Sequence, residues 1–123
     1  MKTAPTVLVV DDNADLCTMI EDFLQSKGFE IVCARDGTEA FDQLDRRAID
    51  LAMIDLLLPG PLSGDEVAAR AAHRGAKVLT MSGALASDTS GRDLRHPHLA
   101  KPFRLGNLLA TVEAVLRGGK PLG

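Results

Sequence analysis

Tryptophan and tyrosine are absent from the 123 residues, and Phe23, Phe29, Phe41 and Phe103 are the only aromatic side chains. A core built from this chain is therefore aliphatic, and a base-stacking platform for nucleic acid, which needs exposed rings, is disfavoured. An excess of basic charge is missing too. Fourteen Lys+Arg face seventeen Asp+Glu, a formal net charge of -3, so no global cationic field draws in DNA or anionic lipid. No apolar run approaches the roughly 18–20 residues of a membrane-spanning helix. The first residues run into Asp11 and Asp12 before a secretory apolar region develops. Cysteine is scarce, and Cys17 and Cys33 lack metal-ligand spacing but fit apolar patterns, which predicts two reduced core thiols. The expectation is one soluble, cytoplasmic domain with no direct nucleic-acid partner and no membrane contact.

What is present is an alternation of two apolar periods within an ordinary globular composition of 46% hydrophobic and 25% charged residues. Thr6-Val7-Leu8-Val9-Val10 is a continuous β-branched run, the pattern of a parallel strand buried on both faces. Asn13 can cap a helix whose Leu16, Met19, Ile20, Phe23 and Leu24 share one face, with Gly28 as its stop. Phe29, Ile31 and Cys33 then suit a half-exposed edge strand. Asp36 and Glu39 have the spacing of a capping box before a second helix, and Ser63 and Glu66 repeat it before a third, alanine-rich one reaching about Arg74. Between these lies a buried strand over 51–54, ending at Asp55. Residues 77–81 predict a fourth strand, 98–100 a short fifth, and Leu105, Leu108, Leu109, Val112 and Leu116 a closing helix. The polar stretch 84–95 carries the weakest helix pattern. Five strand-then-helix units require crossover connections, hence a parallel sheet covered on both faces.

In such sheets ligands bind beyond the carboxyl ends of the strands, at the switch point of strand order. Asp11 and Asp12 follow the first strand, Asp55 the third, Ser82 the fourth and Lys101 the fifth. Three carboxylates brought together repel one another unless a cation neutralises them. Oxygen ligands without His or Cys select a hard ion, and Mg2+ is the natural candidate. A lysine ammonium and a serine hydroxyl opposite complete the groups that stabilise a phosphoryl group in transfer, with one Asp as nucleophile.

These residues carry a family resemblance. Val9-Val10-Asp11-Asp12, Met53-Ile54-Asp55-Leu56-Leu57-Leu58-Pro59, Thr80-Met81-Ser82-Gly83 and Lys101-Pro102-Phe103, in that order and each at a strand end, resemble the receiver domains of two-component response regulators. The match runs from about Val7 to Leu116. It implies a flavodoxin-like (βα)5 doubly wound α/β fold with strand order 2-1-3-4-5, the order for which a chemotaxis receiver is a known example. One domain is expected over residues 1–123, with its core at about 6–117 and a flexible tail at 118–123. The resemblance implies Asp55 as phosphoacceptor. It implies Mg2+ held by Asp12, Asp55 and the backbone carbonyl of Leu57, with Asp11 acting mainly through water. It gives Ser82 and Lys101 to the phosphoryl oxygens, and Gly83 as the small residue that leaves the acceptor approachable. The Lys101–Pro102 bond is expected to be cis.

The departures from the family pattern are equally specific. The loop glycine usually lies eight residues after the acceptor, whereas Gly64 lies nine after Asp55, implying one inserted residue. The stretch between Ser82 and Lys101 is short by nearly a helical turn, which puts a fourth helix over residues 84–95 in doubt. Where the family commonly has Tyr or Phe as a rotameric switch this chain has His98, readable as a switch paired with Ser82 or as a surface strand residue. His73 and His96 read as surface residues. The two side chains best placed to hold a hydrolytic water, two residues after the acceptor and two after the serine, are Leu57 and Ala84, and neither offers a hydrogen bond.

The implied function is Mg2+-dependent phosphoacceptance in a phosphorelay. A histidine kinase or histidine phosphotransfer protein supplies the phosphoryl group to Asp55, and the altered surface is read by a downstream protein. The module is not an enzyme beyond slow self-phosphorylation and self-dephosphorylation, and is expected as a monomer or a weak phosphorylation-dependent dimer. A stand-alone response regulator is favoured over a receiver excised from a longer regulator with an output domain. A Mg2+-dependent phosphohydrolase with an aspartyl nucleophile fits worse, because Asp11-Asp12-Asn13 breaks the Asp-x-Asp spacing such enzymes use. A degenerate receiver that only docks is disfavoured by the intact site positions.

Overall fold

The computed structural model describes residues 4–83 and 96–118. Along the chain come β1 (Thr6–Val10), α1 (Ala14–Ser26), β2 (Glu30–Ala34), α2 (Gly37–Arg46), β3 (Leu51–Asp55), α3 (Gly64–His73), β4 (Lys77–Ser82), β5 (His98–Ala100) and α4 (Leu105–Leu116). The five strands are parallel in the order β2-β1-β3-β4-β5, as expected for a flavodoxin-like sheet. The doubtful helix over residues 84–95 lies outside the described residues, as does 119–123 of the tail.

Period-two alternation along the central strands separates two apolar layers. Leu8 and Val10, with Ala52 and Ile54, pack against Ala40 and Leu44 of α2 and Val67, Ala68 and Ala71 of α3. Val7 and Val9, with Leu51, Met53, Leu79 and Met81, pack against Cys17, Ile20 and Leu24 of α1 and Leu108, Val112 and Val115 of α4. Every residue of β1 and β3 is buried, which is why their sequences read as unbroken runs. Truncating a residue such as Leu8 or Leu79, both fully buried, to alanine costs about 2–5 kcal/mol.

Local signals place the helix ends. Asn13 accepts from the Leu16 N–H at 3.1 Å, and Gly28 adopts φ +95° after α1. Ser63 and Glu66 form a complete capping box, each side chain accepting from the other's backbone N–H. Asp36 caps α2 by accepting from Glu39, but the Glu39 carboxylate turns to the N–H of Arg35, so that box is only half formed.

Two core expectations fail. Met19 is 42% exposed, because it lines an open groove with Leu16, Lys101, Pro102 and Phe103. Cys17 is buried as expected, yet Cys33 is exposed, since β2 is an edge strand with an open flank. The thiols remain neighbours, with Cys33 Sγ 4.0 Å from the Cys17 carbonyl oxygen. Hydrogen bonding to Cys33 and burial push the Cys17 thiol well up, while the same contact lowers that of Cys33.

Candidate functional site

The carboxyl ends of β1 and β3 lie side by side, with Val10 paired to Ile54. The register therefore brings Asp11, Asp12 and Asp55 together, and an oxygen from each lies within 4.8 Å of the others. Asp11 and Asp55 are almost fully buried, at 1% and 6% exposure, while Asp12 faces solvent. Each buried carboxylate is held by a backbone N–H two residues on. Asp11 Oδ1 accepts from Asn13 and Asp55 Oδ1 from Leu57, both at 2.9 Å. These turns leave the second oxygen of each acid aimed into the crevice.

Lys101 occupies that crevice. Its Nζ donates to Asp11 Oδ2 at 2.5 Å and to Asp55 Oδ2 at 3.0 Å. The backbone that carries it is pinned by Lys101 N–H to the Ser82 carbonyl at 2.7 Å, and the Lys101–Pro102 bond is cis as expected. Burial pulls the ammonium down, but hydrogen bonds to Asp11 and Asp55 outweigh it and hold Lys101 above the usual lysine range. The reverse balance holds at Asp55. Burial raises its carboxyl above the ordinary carboxylate range, against the lowering effects of the Leu57 N–H and Lys101. Among the described residues one ammonium thus serves two buried acids, a deficit of positive charge that a cation between the three carboxylates would correct. The donor set is oxygen only, it includes a solvent-facing Asp12, and it fits a hard divalent ion such as Mg2+.

β4 ends at Ser82, and Gly83 follows it. Among the described residues, a Cβ at Gly83 would meet nothing within 4 Å. Ser82 Oγ lies 2.6 Å from His98 Nε2, and His98 Nδ1 lies 2.7 Å from Thr80 Oγ1. His98 is therefore half-buried and engaged with both hydroxyls, not a plain surface residue. Thr80 was invisible as a site residue in the sequence, and its signal is positional: it stands two before Ser82 on β4 and pairs in register with His98. His73 is exposed and His96 half-buried.

In the loop ahead of Gly64, Gly60 takes φ +89°. Gly64 itself packs closely against the end of β3. A Cβ there would stand 2.5 Å from the Asp55 carbonyl oxygen and 2.7 Å from Leu56 Cα. Leu57 is 62% exposed at the mouth, and Ala84 lies outside the described residues. Among the described residues no helix is long and apolar enough to cross a membrane.

Comparison with known proteins identifies the family. The family model for the response regulator receiver domain matches residues 7–113. The transcriptional regulatory protein CpxR of Escherichia coli (strain K12) is 33% identical over 114 residues, covering 90% of this chain and 49% of that protein. The transcriptional regulatory protein PrrA of Mycobacterium tuberculosis (strain ATCC 25618 / H37Rv) is 36% identical over 120 residues, covering 94% and 51%. The chain spans about half the length of these curated relatives. Among solved structures, a response regulator receiver protein from Sinorhizobium medicae WSM419 superposes with a TM-score of 0.83 at 28% identity, covering 93% of this chain and 95% of that one. The receiver domain of NtrX from Brucella abortus gives 0.81 at 26% identity, covering 90% and 98%. Matched over nearly its whole length by family, by sequence and by fold, the chain belongs to the response regulator receiver domain family, the signalling modules of two-component systems.

Proposed function

We propose that this chain accepts a phosphoryl group on Asp55 from the phosphohistidine of a histidine kinase or histidine phosphotransfer protein, and passes the signal on by altering a protein-binding surface. The observation that carries this reading is the bridging of buried Asp55 and Asp11 by Lys101, with Asp12 beside them. An Asp55 carboxylate oxygen attacks phosphorus, the bond from phosphorus to the donor nitrogen breaks, and its electron pair stays on that nitrogen. Burial strips water from the nucleophile, while Leu57 and Lys101 orient it. Mg2+, held by Asp12, Asp55 and the Leu57 carbonyl with Asp11 acting mainly through water, would supply charge neutralisation to the transferring group. Lys101 stands ready to pair with the phosphoryl oxygens, and Ser82 to donate a hydrogen bond to one of them. The module is a phosphoprotein with at most slow self-catalysed gain and loss of phosphate, and it acts in the cytoplasm as one receiver unit.

The test is intact-mass analysis after incubation with acetyl phosphate and Mg2+. Wild type should gain one phosphoryl group and Asp55→Asn none. A wild type that stays unmodified, or a variant modified to the same extent, refutes the assignment.

A further inference from the structure

Thr80, His98 and Ser82 form a continuous hydrogen-bonded chain between β4 and β5 that ends at the carboxyl end of β4. Thr80 and Ser82 are 4% and 3% exposed, so each hydroxyl depends on protein partners for its hydrogen bonds. Thr80 Oγ1 lies 2.7 Å from His98 Nδ1 and 3.3 Å from the Pro97 carbonyl oxygen, which already accepts the Thr80 N–H at 2.9 Å. Ser82 Oγ lies 2.6 Å from His98 Nε2. Three hydrogens serve this chain when the imidazole is neutral, and they can run in two directions. In one, Ser82 donates to Nε2, Nδ1–H donates to Thr80, and Thr80 donates to Pro97. In the other, Thr80 donates to Nδ1, Nε2–H donates to Ser82, and the Ser82 hydrogen is released towards the crevice. No hydrogen is gained or lost between the two, and the Pro97 oxygen keeps its backbone partner in both.

We propose that His98 is a positioning residue for phosphoryl binding: a phosphoryl group on Asp55 selects the second direction, so that His98 Nε2–H donates to Ser82 while Ser82 donates to a phosphoryl oxygen. The inference rests on Asp55 being the phosphoacceptor. A phosphoryl oxygen only accepts, so Ser82 must spend its one hydrogen there, and the imidazole nitrogen 2.6 Å away can then only donate. A Tyr or Phe at this place could not serve both hydroxyls in this way, because two ring nitrogens are needed to connect Thr80 to Ser82. His98 thus acts through Ser82 on the bound group, and a Ser82 hydroxyl held by an N–H donor is already turned outward for it.

The experiment reads imidazole nitrogen resonances of the full chain at fixed pH, without and with beryllium fluoride and Mg2+ as the acyl-phosphate mimic. His73 and His96 serve as internal references, and His98→Phe assigns the signal by its loss. His98 Nε2 should become fully protonated with the mimic bound, while Nδ1 becomes an acceptor. Affinity for beryllium fluoride should fall in His98→Phe by about threefold to tenfold, the worth of one net hydrogen bond. His98→Gln, whose amide N–H reaches where Nε2 stands, should restore it, and His98→Asn, which reaches only as far as Nδ1, should not. Unchanged His98 nitrogen shifts in a wild type that binds the mimic overturn the relay alone, as does tighter binding by His98→Phe, which would make His98 a latch against phosphorylation. A wild type that neither binds the mimic nor takes phosphate from acetyl phosphate overturns the phosphoacceptor reading together with the relay.

Discussion

Gly64→Ala tests the packing that sets Asp55, the proposed phosphoacceptor, in place. The added methyl would stand 2.5 Å from the Asp55 carbonyl oxygen, 2.7 Å from Leu56 Cα and 3.1 Å from the Leu56 oxygen. All three obstacles are backbone, so no side chain can swing aside. Nor is that backbone free to retreat, because Leu56 N–H is bonded to the Met81 carbonyl at 2.9 Å and Leu57 N–H to the Asp55 carboxylate. Relief therefore needs most of an ångström of displacement between the first turn of α3 and the end of β3. Overpacking of this kind costs about 1–3 kcal/mol, more than alanine returns in helix propensity. Gly106→Ala is the matched control. It too lies at the start of a helix, but its methyl would meet nothing within 4 Å. It should leave stability unchanged or raise it by up to about 1 kcal/mol. Urea unfolding of the three proteins decides the matter: the Gly64→Ala midpoint should fall with an unchanged m-value, and its phosphorylation by acetyl phosphate should slow even where the chain is fully folded. If Gly64→Ala matches wild type in both respects, the close approach does not position Asp55.

Three further outcomes follow from the same geometry. Leu57 is exposed two residues after Asp55 and offers no side-chain hydrogen bond to an attacking water, so if Asp55 is the phosphoacceptor, as proposed, phosphorylated protein freed of donor should decay slowly. Leu57→Asn should speed that decay about tenfold, which takes only about 1.4 kcal/mol, and equal time courses would refute the role. In wild type, Mg2+ at a hundred times its dissociation constant should raise unfolding free energy by about 2.7 kcal/mol. Asp12→Ala should abolish that gain, and an equal gain in the variant would remove Asp12 from the metal site. Burial holds the Asp55 carboxyl above its unfolded value, so its ionisation costs stability in metal-free buffer. That cost is absent below the unfolded value of about 3.9 and complete once pH exceeds the raised folded value. Asp55→Asn should therefore gain stability relative to wild type as pH rises from about 4 through the raised folded value, and a parallel pair of stability curves would contradict the shift.

The strands and most helix faces were readable because burial on two sides or one leaves a period in the chain. Thr6–Val10 is apolar throughout, since helices cover both of its faces, and Asp11 stands where that run breaks. The same logic located Asp55, Ser82 and Lys101 at strand ends, and the receiver resemblance assigned them roles that the buried carboxylate pair and its lysine fit. Periodicity failed where coverage is partial. Met19 lies on the apolar stripe of α1 and Cys33 in an alternating strand, yet both are exposed, because nothing in their own segments records how far a neighbouring element extends.

By itself, then, the sequence determined the two-layer wrapping of a parallel sheet and the crest on which its polar residues gather, since both follow from local patterns of apolar and polar side chains. Only tertiary structure decided which of those residues touch. Lys101 meets Asp11 across 90 positions and Asp55 across 46. His98 reaches Thr80 and Ser82 only because β5 pairs with β4 in one register. A shift of one residue there would turn every side chain of β5 to the opposite face. Such contacts depend on where strands distant in sequence come to rest against each other, and that is settled by the packing of the whole sheet, not by any segment within it.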